Sequence, residues 1–197
     1  SDEIRDFVAR EMEDMDLTIS QQIMVAFGFI PEDIDLRTLM IDLLGQEVVG
    51  MYDPDHDRLV VLDSVAESLD QPTQEAVMAR MVLIHEVVHA LQDQHFDTLQ
   101  RVGDEPWTDD QGTVYSCVAE GDATLSMMVG MAERMGAPVD GTRAPGFRQR
   151  LRRSGEQALP SSPALSSAPP YFGHIMAATY LEGAAFAADL RRLGGWG

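Results

Sequence analysis

The chain has no lysine. All 14 of its basic residues are arginine, set against 33 acidic residues, for a formal net charge of −19 over 197 residues. A surface this acidic repels phosphate, which argues against nucleic acid as a partner. The acidity fits either a salt-rich habitat or a solubilising surface. Cysteine is nearly absent, and a lone Cys117 excludes an internal disulfide framework, so stability has to come from packing or from a metal. Long apolar runs are missing too. No stretch approaches the roughly 20 residues needed to cross a bilayer, and the opening SDEIRDFVAR is charged rather than signal-like. We therefore expect no membrane span in this chain.

Hydrophobic residues make up 45% of the sequence, enough to bury a core, and the length suits one domain spanning 1–197. Ile4, Phe7, Val8, Met12 and Met15 recur at helical spacing and predict an amphipathic helix over 2–17. PEDIDLRTLMIDLLG, residues 31–45, reads as a second helix, opened by Pro31 and closed by Gly45. The period then changes. EVVGMY and RLVVL flank the turn-rich DPDHD, which predicts a hairpin over 47–62. That turn is not a calcium loop of the EF-hand kind, because Arg58 and Ser64 stand where glycine and glutamate are needed.

Residues 73–94 carry apolar side chains on most sides and predict a buried helix; 113–135 predicts another, rich in small residues and methionine. Between 136 and 170 lie six of the ten prolines and a serine-rich run, a long loop or lid with one short helix, FRQRLRRSG. Its Arg143, Arg148, Arg150, Arg152 and Arg153 suit either a clamp for an acidic substrate or a solvated face. An alanine-rich helix from 174 to 193 ends at Gly194 and Gly195. The expected fold class is α+β, predominantly helical, with a small sheet beside the central helix.

Histidine is also scarce, five in all, yet three fall within residues 85–95, in IHEVVHALQDQHFD. His85 and His89 are four apart, so on a helix their side chains share one face and can grip one ion. Glu86 is rotated by about 100° from His85. Its carboxylate therefore lies beside the ion, where it can take a proton from an activated water. An accidental H-E-x-x-H would arise in roughly one chain of this composition in a hundred. A catalytic zinc site uses three protein ligands, so one more is required. Asp93 is about 12 Å along the helix from His85, too far to share its ion. It is placed either to accept a hydrogen bond from the far nitrogen of His89 or to sit as a solvated acid at the helix end. Glu120 is the better third ligand. Its helical neighbours Ser116, Cys117, Ala123 and Thr124 form a small-residue face on which an ionised carboxylate needs a cation or hydrogen bonds. Asp122 is turned about 200° from Glu120 and cannot join it.

HEVVH with a glutamate on a later helix resembles the gluzincin metallopeptidases, the thermolysin-like branch of the HExxH zincins. GMYDPDHDRLVVL, HEVVHALQDQHFD, AEGDAT and TYLEGAAFAADLRRLGGW together are similar to a group of bacterial zincin-like proteins, across residues about 31–196. The resemblance implies a zincin-like domain with Zn2+ held by His85, His89 and Glu120 and with Glu86 as general base. It also implies an extended peptide or protein substrate paired with a strand edge at Val48–Met51 or Leu59–Leu62, for which a purely structural hairpin is the equal alternative, and it favours an extracytoplasmic or secreted setting. Thermolysin-like enzymes often carry an aspartate four residues after the ligand glutamate, where this chain has Thr124. The similar proteins usually continue past GGW, which leads us to expect a processed or truncated form.

Two functions are compatible with these residues. One is a zinc metallopeptidase; the other is a metal-binding scaffold with little hydrolysis, in which Glu86 would have no task. Zinc chemistry on an amide usually has a second donor facing the developing charge. With no lysine in the chain, Tyr180 in ATYLEGAAF is the candidate for it, ahead of His174 and Tyr115; the plain alternative is a core tyrosine.

Overall fold

A computed structural model describes residues 2–13, 15–47, 50–53, 56–96, 108–138, 141–142, 144–158 and 163–194. The architecture is α+β and 74% helical, with one two-stranded antiparallel sheet among the described residues, which is the class expected at that level. The chain gathers into two compact units: Ser1–Val49 with Glu156–Met176, and Gly50–Gly155 with Ala177–Gly197.

The first unit holds α1 (Asp2–Glu11), α2 (Thr18–Ala26), α3 (Leu36–Glu47) and α8 (Pro163–Ser167). Ile30, Leu36, Leu43 and Phe172 form its buried centre. The helix expected over 2–17 ends at Glu11, and a second, not expected from the sequence, begins at Thr18. Arg37 explains the break, because its guanidinium donates to the carbonyls of Met12 and Met15, groups that a continuing helix would have used itself. The Asp16 carboxylate accepts the Thr18 N–H at 3.0 Å, just ahead of α2. Helix α3 begins at Leu36 rather than at Pro31, since the Asp35 carboxylate caps the Thr38 N–H at 2.8 Å.

The second unit begins with the hairpin, β1 (Gly50–Asp53) and β2 (Arg58–Val61), in the register Gly50↔Val61 and Tyr52↔Leu59. At its turn, Asp57 adopts φ 49°, a left-handed conformation that aspartate tolerates. A short α4 (Asp63–Ser68) leads to α5 (Gln74–Phe96), whose first turn is capped by Thr73 Oγ1 on the Ala76 N–H. Expected to be buried all round, α5 instead exposes Met78, Val87 and Leu91. The next helix, α6 (Asp109–Arg134), starts four residues earlier than the apolar pattern suggested because Thr108 and Gln111 form a capping box.

The segment 136–170, expected as a loop or lid with one short helix, contains α7 (Phe147–Ala158) as well as α8 and the start of α9 (Pro170–Ala177). Pro163 and Pro170 open helices rather than break them, because the first helical position needs no N–H donor. A π-helical turn, Ala178–Glu182, precedes α10 (Gly183–Gly194). Leu125, Val129, Leu151, Ala184, Ala185 and Ala188 form the buried core of this unit.

Two glycines set the distance between α6 and α10. A methyl group on Gly183 would overlap the Cys117 carbonyl oxygen, and one on Gly121 would overlap the Gly183 backbone. Backbone therefore lies on backbone at this crossing, one residue from Glu120. We expect Gly183→Ala to lose stability, by about 1–3 kcal/mol if the helices move apart modestly. Gly112→Ala, on the same helix with open space around it, should gain about 0.4–1 kcal/mol from reduced unfolded-state entropy. Urea denaturation of both variants checks the pair; a Gly183→Ala protein as stable as its parent would show that the contact is not tight.

Candidate metal centre

The helices α5 and α6 run antiparallel, with Ile84 beside Gly130 at one end and Gln92 beside the Ala119 carbonyl at the other. This pairing brings His85, His89 and Glu120 together. His85 Nε2 lies 3.0 Å from His89 Nε2 and 3.0 Å from Glu120 Oε2, and the third side, His89 Nε2 to Glu120 Oε2, is 3.3 Å. Among the described residues these three are the group able to hold a metal ion. A circle through the three atoms has a radius of about 1.8 Å, less than zinc's bonds of about 2.0–2.1 Å to nitrogen or oxygen. The three atoms are close enough together for one ion to bond to all of them.

The electrostatics lead the same way. Burial opposes charge on Glu120, yet hydrogen bonds and charge from His85 and His89 outweigh it and bring its carboxyl from an ordinary 4.5 down to about 2. Burial likewise works against a charged His89, and the neighbouring Glu120 overrides it, raising the histidine above its usual range. The cluster draws positive charge, as a proton or as a cation.

Glu86 stands beside the triangle and is not one of its corners. Its carboxylate accepts the Tyr52 backbone N–H at 2.9 Å, which ties α5 to β1. Burial pushes its carboxyl above the usual range, against the pull of His89, His85 and that N–H. Since Tyr52 N–H points to α5, Tyr52 sits on the outer edge of β1 and that edge is engaged. The neighbouring Val48 and Val49, part of the stretch expected to receive a peptide, lie outside the described residues.

Asp93 does not hold His89. It faces the hairpin instead, 3.4 Å from the buried Tyr52 hydroxyl, which also reaches Asp57 at 3.0 Å. Burial first, then these two acids, pushes the Tyr52 phenol up to about 12. His89 Nδ1 is met by Gln92 Oε1 at 3.0 Å. The Gln92 amide group in turn donates to Ala119 O at 3.1 Å and to Asp122 Oδ2 at 2.9 Å, so Asp122 connects to His89 through Gln92 and is not part of the triangle. Gln92 was missed in the sequence although its place, three residues after His89 on the same face, was available as a signal. Thr124 is buried, and its hydroxyl has no hydrogen-bond partner among the described residues, so it orients no histidine.

Tyr180 comes to the site from the π-helical turn. Its ring centroid is 6.0 Å from that of His85. Burial, then the charges of Glu120 and Glu86 and a hydrogen bond to Glu120, raise its pKa and keep the phenol protonated. The rival His174 belongs to the other unit, where its Nδ1 bonds to the Pro170 carbonyl at 2.6 Å. Arg148 and Arg152 both pair with Glu182 at the end of the same turn, and Arg148 also reaches Asp189 at 3.4 Å. These arginines are occupied by acids of their own unit.

No family model matches the chain, and no curated protein or solved structure is significantly similar to it. Among the described residues no helix is long and apolar enough to cross a membrane.

In metal-free protein the Glu120–His89 pair makes a pH-dependent contribution to stability. The lowered Glu120 value stabilises the fold above about pH 4.5 and loses that effect as pH falls toward 2. The raised His89 value stabilises below the ordinary histidine pKa of about 6.5 and loses it as pH rises past the folded value. Glu120→Gln should therefore cost most near pH 5.5 and progressively less toward about pH 9. Denaturation of both proteins in chelator across that range tests this, and a pH-independent difference would count against the pairing.

Proposed function

We propose that this chain is a zinc-dependent metallopeptidase of the gluzincin type, with a zincin-like arrangement of α5, α6 and the hairpin. The observation that carries this reading is the convergence of His85 Nε2, His89 Nε2 and Glu120 Oε2 within 3.0–3.3 Å of one another, with a carboxylate beside them rather than among them. Two neutral imidazoles and a carboxylate suit zinc in donor type and number, and a three-residue set leaves a coordination position for water or substrate. Zinc held there supplies a Lewis acid that polarises a carbonyl and makes water nucleophilic near neutral pH.

The protein's own groups have distinct tasks. Glu86 accepts the proton of the attacking water and delivers it to the departing amine; its fixed bond to Tyr52 N–H leaves one carboxylate oxygen for this work. Its raised pKa suits a group that must both take and give a proton. Tyr180, kept protonated, is a donor and not a base, and its position beside His85 suits a hydrogen bond to the oxyanion of the tetrahedral intermediate. The substrate is a peptide or protein in extended form. With the outer edge of β1 engaged by Glu86, β2 is the strand left to pair with it, through outward groups at Leu59 and Val61.

Purified protein should carry one zinc per chain. Glu86→Gln should retain that zinc and its fold while losing about two to four orders of magnitude in hydrolysis of any peptide the parent cleaves. Zinc retention with unchanged turnover would remove Glu86 from the mechanism, and a parent that binds zinc without cleaving peptides would leave the scaffold reading. Tyr180→Phe should keep zinc and melting temperature and lower the catalytic rate by about one to three orders of magnitude, because one hydrogen bond to the developing charge is lost. A rate equal to the parent's would make Tyr180 a packing residue.

A further inference from the structure

We propose that Gln92 is a positioning residue that fixes His89 in its metal-binding tautomer and, through Asp122, braces the two helices that carry the ligands. The zinc relevance of this role rests on the reading above; the tautomer itself does not. Gln92 is buried and its amide has three partners. The Ala119 carbonyl, at 3.1 Å, can only accept, so it must face the NH2 end; the Asp122 carboxylate, at 2.9 Å, takes a hydrogen from the same end. The amide oxygen is left toward His89 Nδ1 at 3.0 Å. Two acceptors cannot meet at that distance, so Nδ1 carries the proton.

Neutral His89 then presents a bare lone pair at Nε2, the atom that stands 3.0 Å from His85 Nε2 and 3.3 Å from Glu120 Oε2. An imidazole binds metal only through such a lone pair, and which nitrogen offers it is set by the bond the other one makes. Asp122 adds a further effect. Its negative charge at the NH2 end polarises the amide and strengthens the oxygen as an acceptor. Because His89 and Gln92 are on α5 and Ala119 and Asp122 on α6, the same network sets the register of the helices that contribute His85, His89 and Glu120. Glutamine serves where Asp93 cannot, because only an amide both accepts from His89 and donates to a carbonyl and a carboxylate.

The test uses the full chain, zinc competition against a chelator, and 15N spectra of the imidazoles in metal-free protein at a pH where His89 is neutral. The parent should show His89 protonated on Nδ1. Gln92→Leu, folded by circular dichroism, should show a mixed or reversed tautomer and bind zinc about 10- to 100-fold more weakly. A double variant, Gln92→Glu with Asp122→Asn, keeps an acceptor for His89 and reverses the bond to position 122 but sets a carboxylate oxygen against the Ala119 carbonyl, and should restore the Nδ1 proton with only part of the affinity. Parent His89 protonated on Nε2, or a folded Gln92→Leu with parental zinc affinity and tautomer, would overturn the proposal. If Gln92→Leu does not fold, the double variant decides: an Nδ1 proton supports the assignment and an Nε2 proton sinks it. A parent that binds no zinc would end the metallopeptidase reading, while the nitrogen spectrum would still settle the role of Gln92.

Discussion

Two imidazole nitrogens and a carboxylate oxygen, each 3.0–3.3 Å from the others and partly withdrawn from water, form a cluster that is unfavourable unless positive charge lies among them. The surrounding structure is arranged to keep that cluster in place. His85 and His89 need only one helix, since four residues make about one turn. Glu120 needs a second helix at a fixed register and a short distance. The register comes from the bonds of Gln92 to Ala119 and Asp122. On the other side of α6, Gly121 and Gly183 let α10 approach until backbone meets backbone, which brings the preceding turn and Tyr180 to the same place.

The π-helical turn at Ala178–Glu182 follows from the same demands. A wider turn inserts an additional residue into the helical ladder, and such bulges are frequent at functional sites because they re-aim one side chain. Here the turn contains Tyr180 and ends beside the close Gly183 contact. Arg148 and Arg152 pair with Glu182 at its last position. Exposed ion pairs of this sort add little energy. Their geometric contribution is larger, since the planar guanidinium holds a direction that an ammonium does not. The same use of arginine recurs at Arg58 on Asp53 and at Arg37 on two carbonyls. In a chain with 33 acids and no lysine, every cation is of the kind suited to bridging.

The line from sequence to site was short for some residues and long for others. HEVVH carries its own geometry, because helical spacing alone puts His85 and His89 on one face and Glu86 beside it. Glu120 was legible by a different route, as an acid on a face of small residues where charge needs a partner. Capping chemistry explains the misplaced helix starts: Asp35 and the Thr108–Gln111 box fix first turns, while apolar periodicity only outlines the middle of a helix. Prolines in 136–170 were read as breakers, yet Pro163 and Pro170 stand where proline begins a helix.

The sequence by itself determined the chemistry on offer: two histidines and a glutamate at helical spacing, a buried-type acid downstream, no disulfide, no lysine and a charge of −19. These are local facts, set by residue identity and by the 3.6-residue period. Only the tertiary structure decided which polar group meets which. Asp93 and Gln92 are adjacent and both face inward, yet the first turns to the hairpin's Tyr52 and the second to His89 and α6. The 100° between neighbouring helical residues is enough to send them to different elements, and the identity of those elements depends on packing across residues distant in the chain.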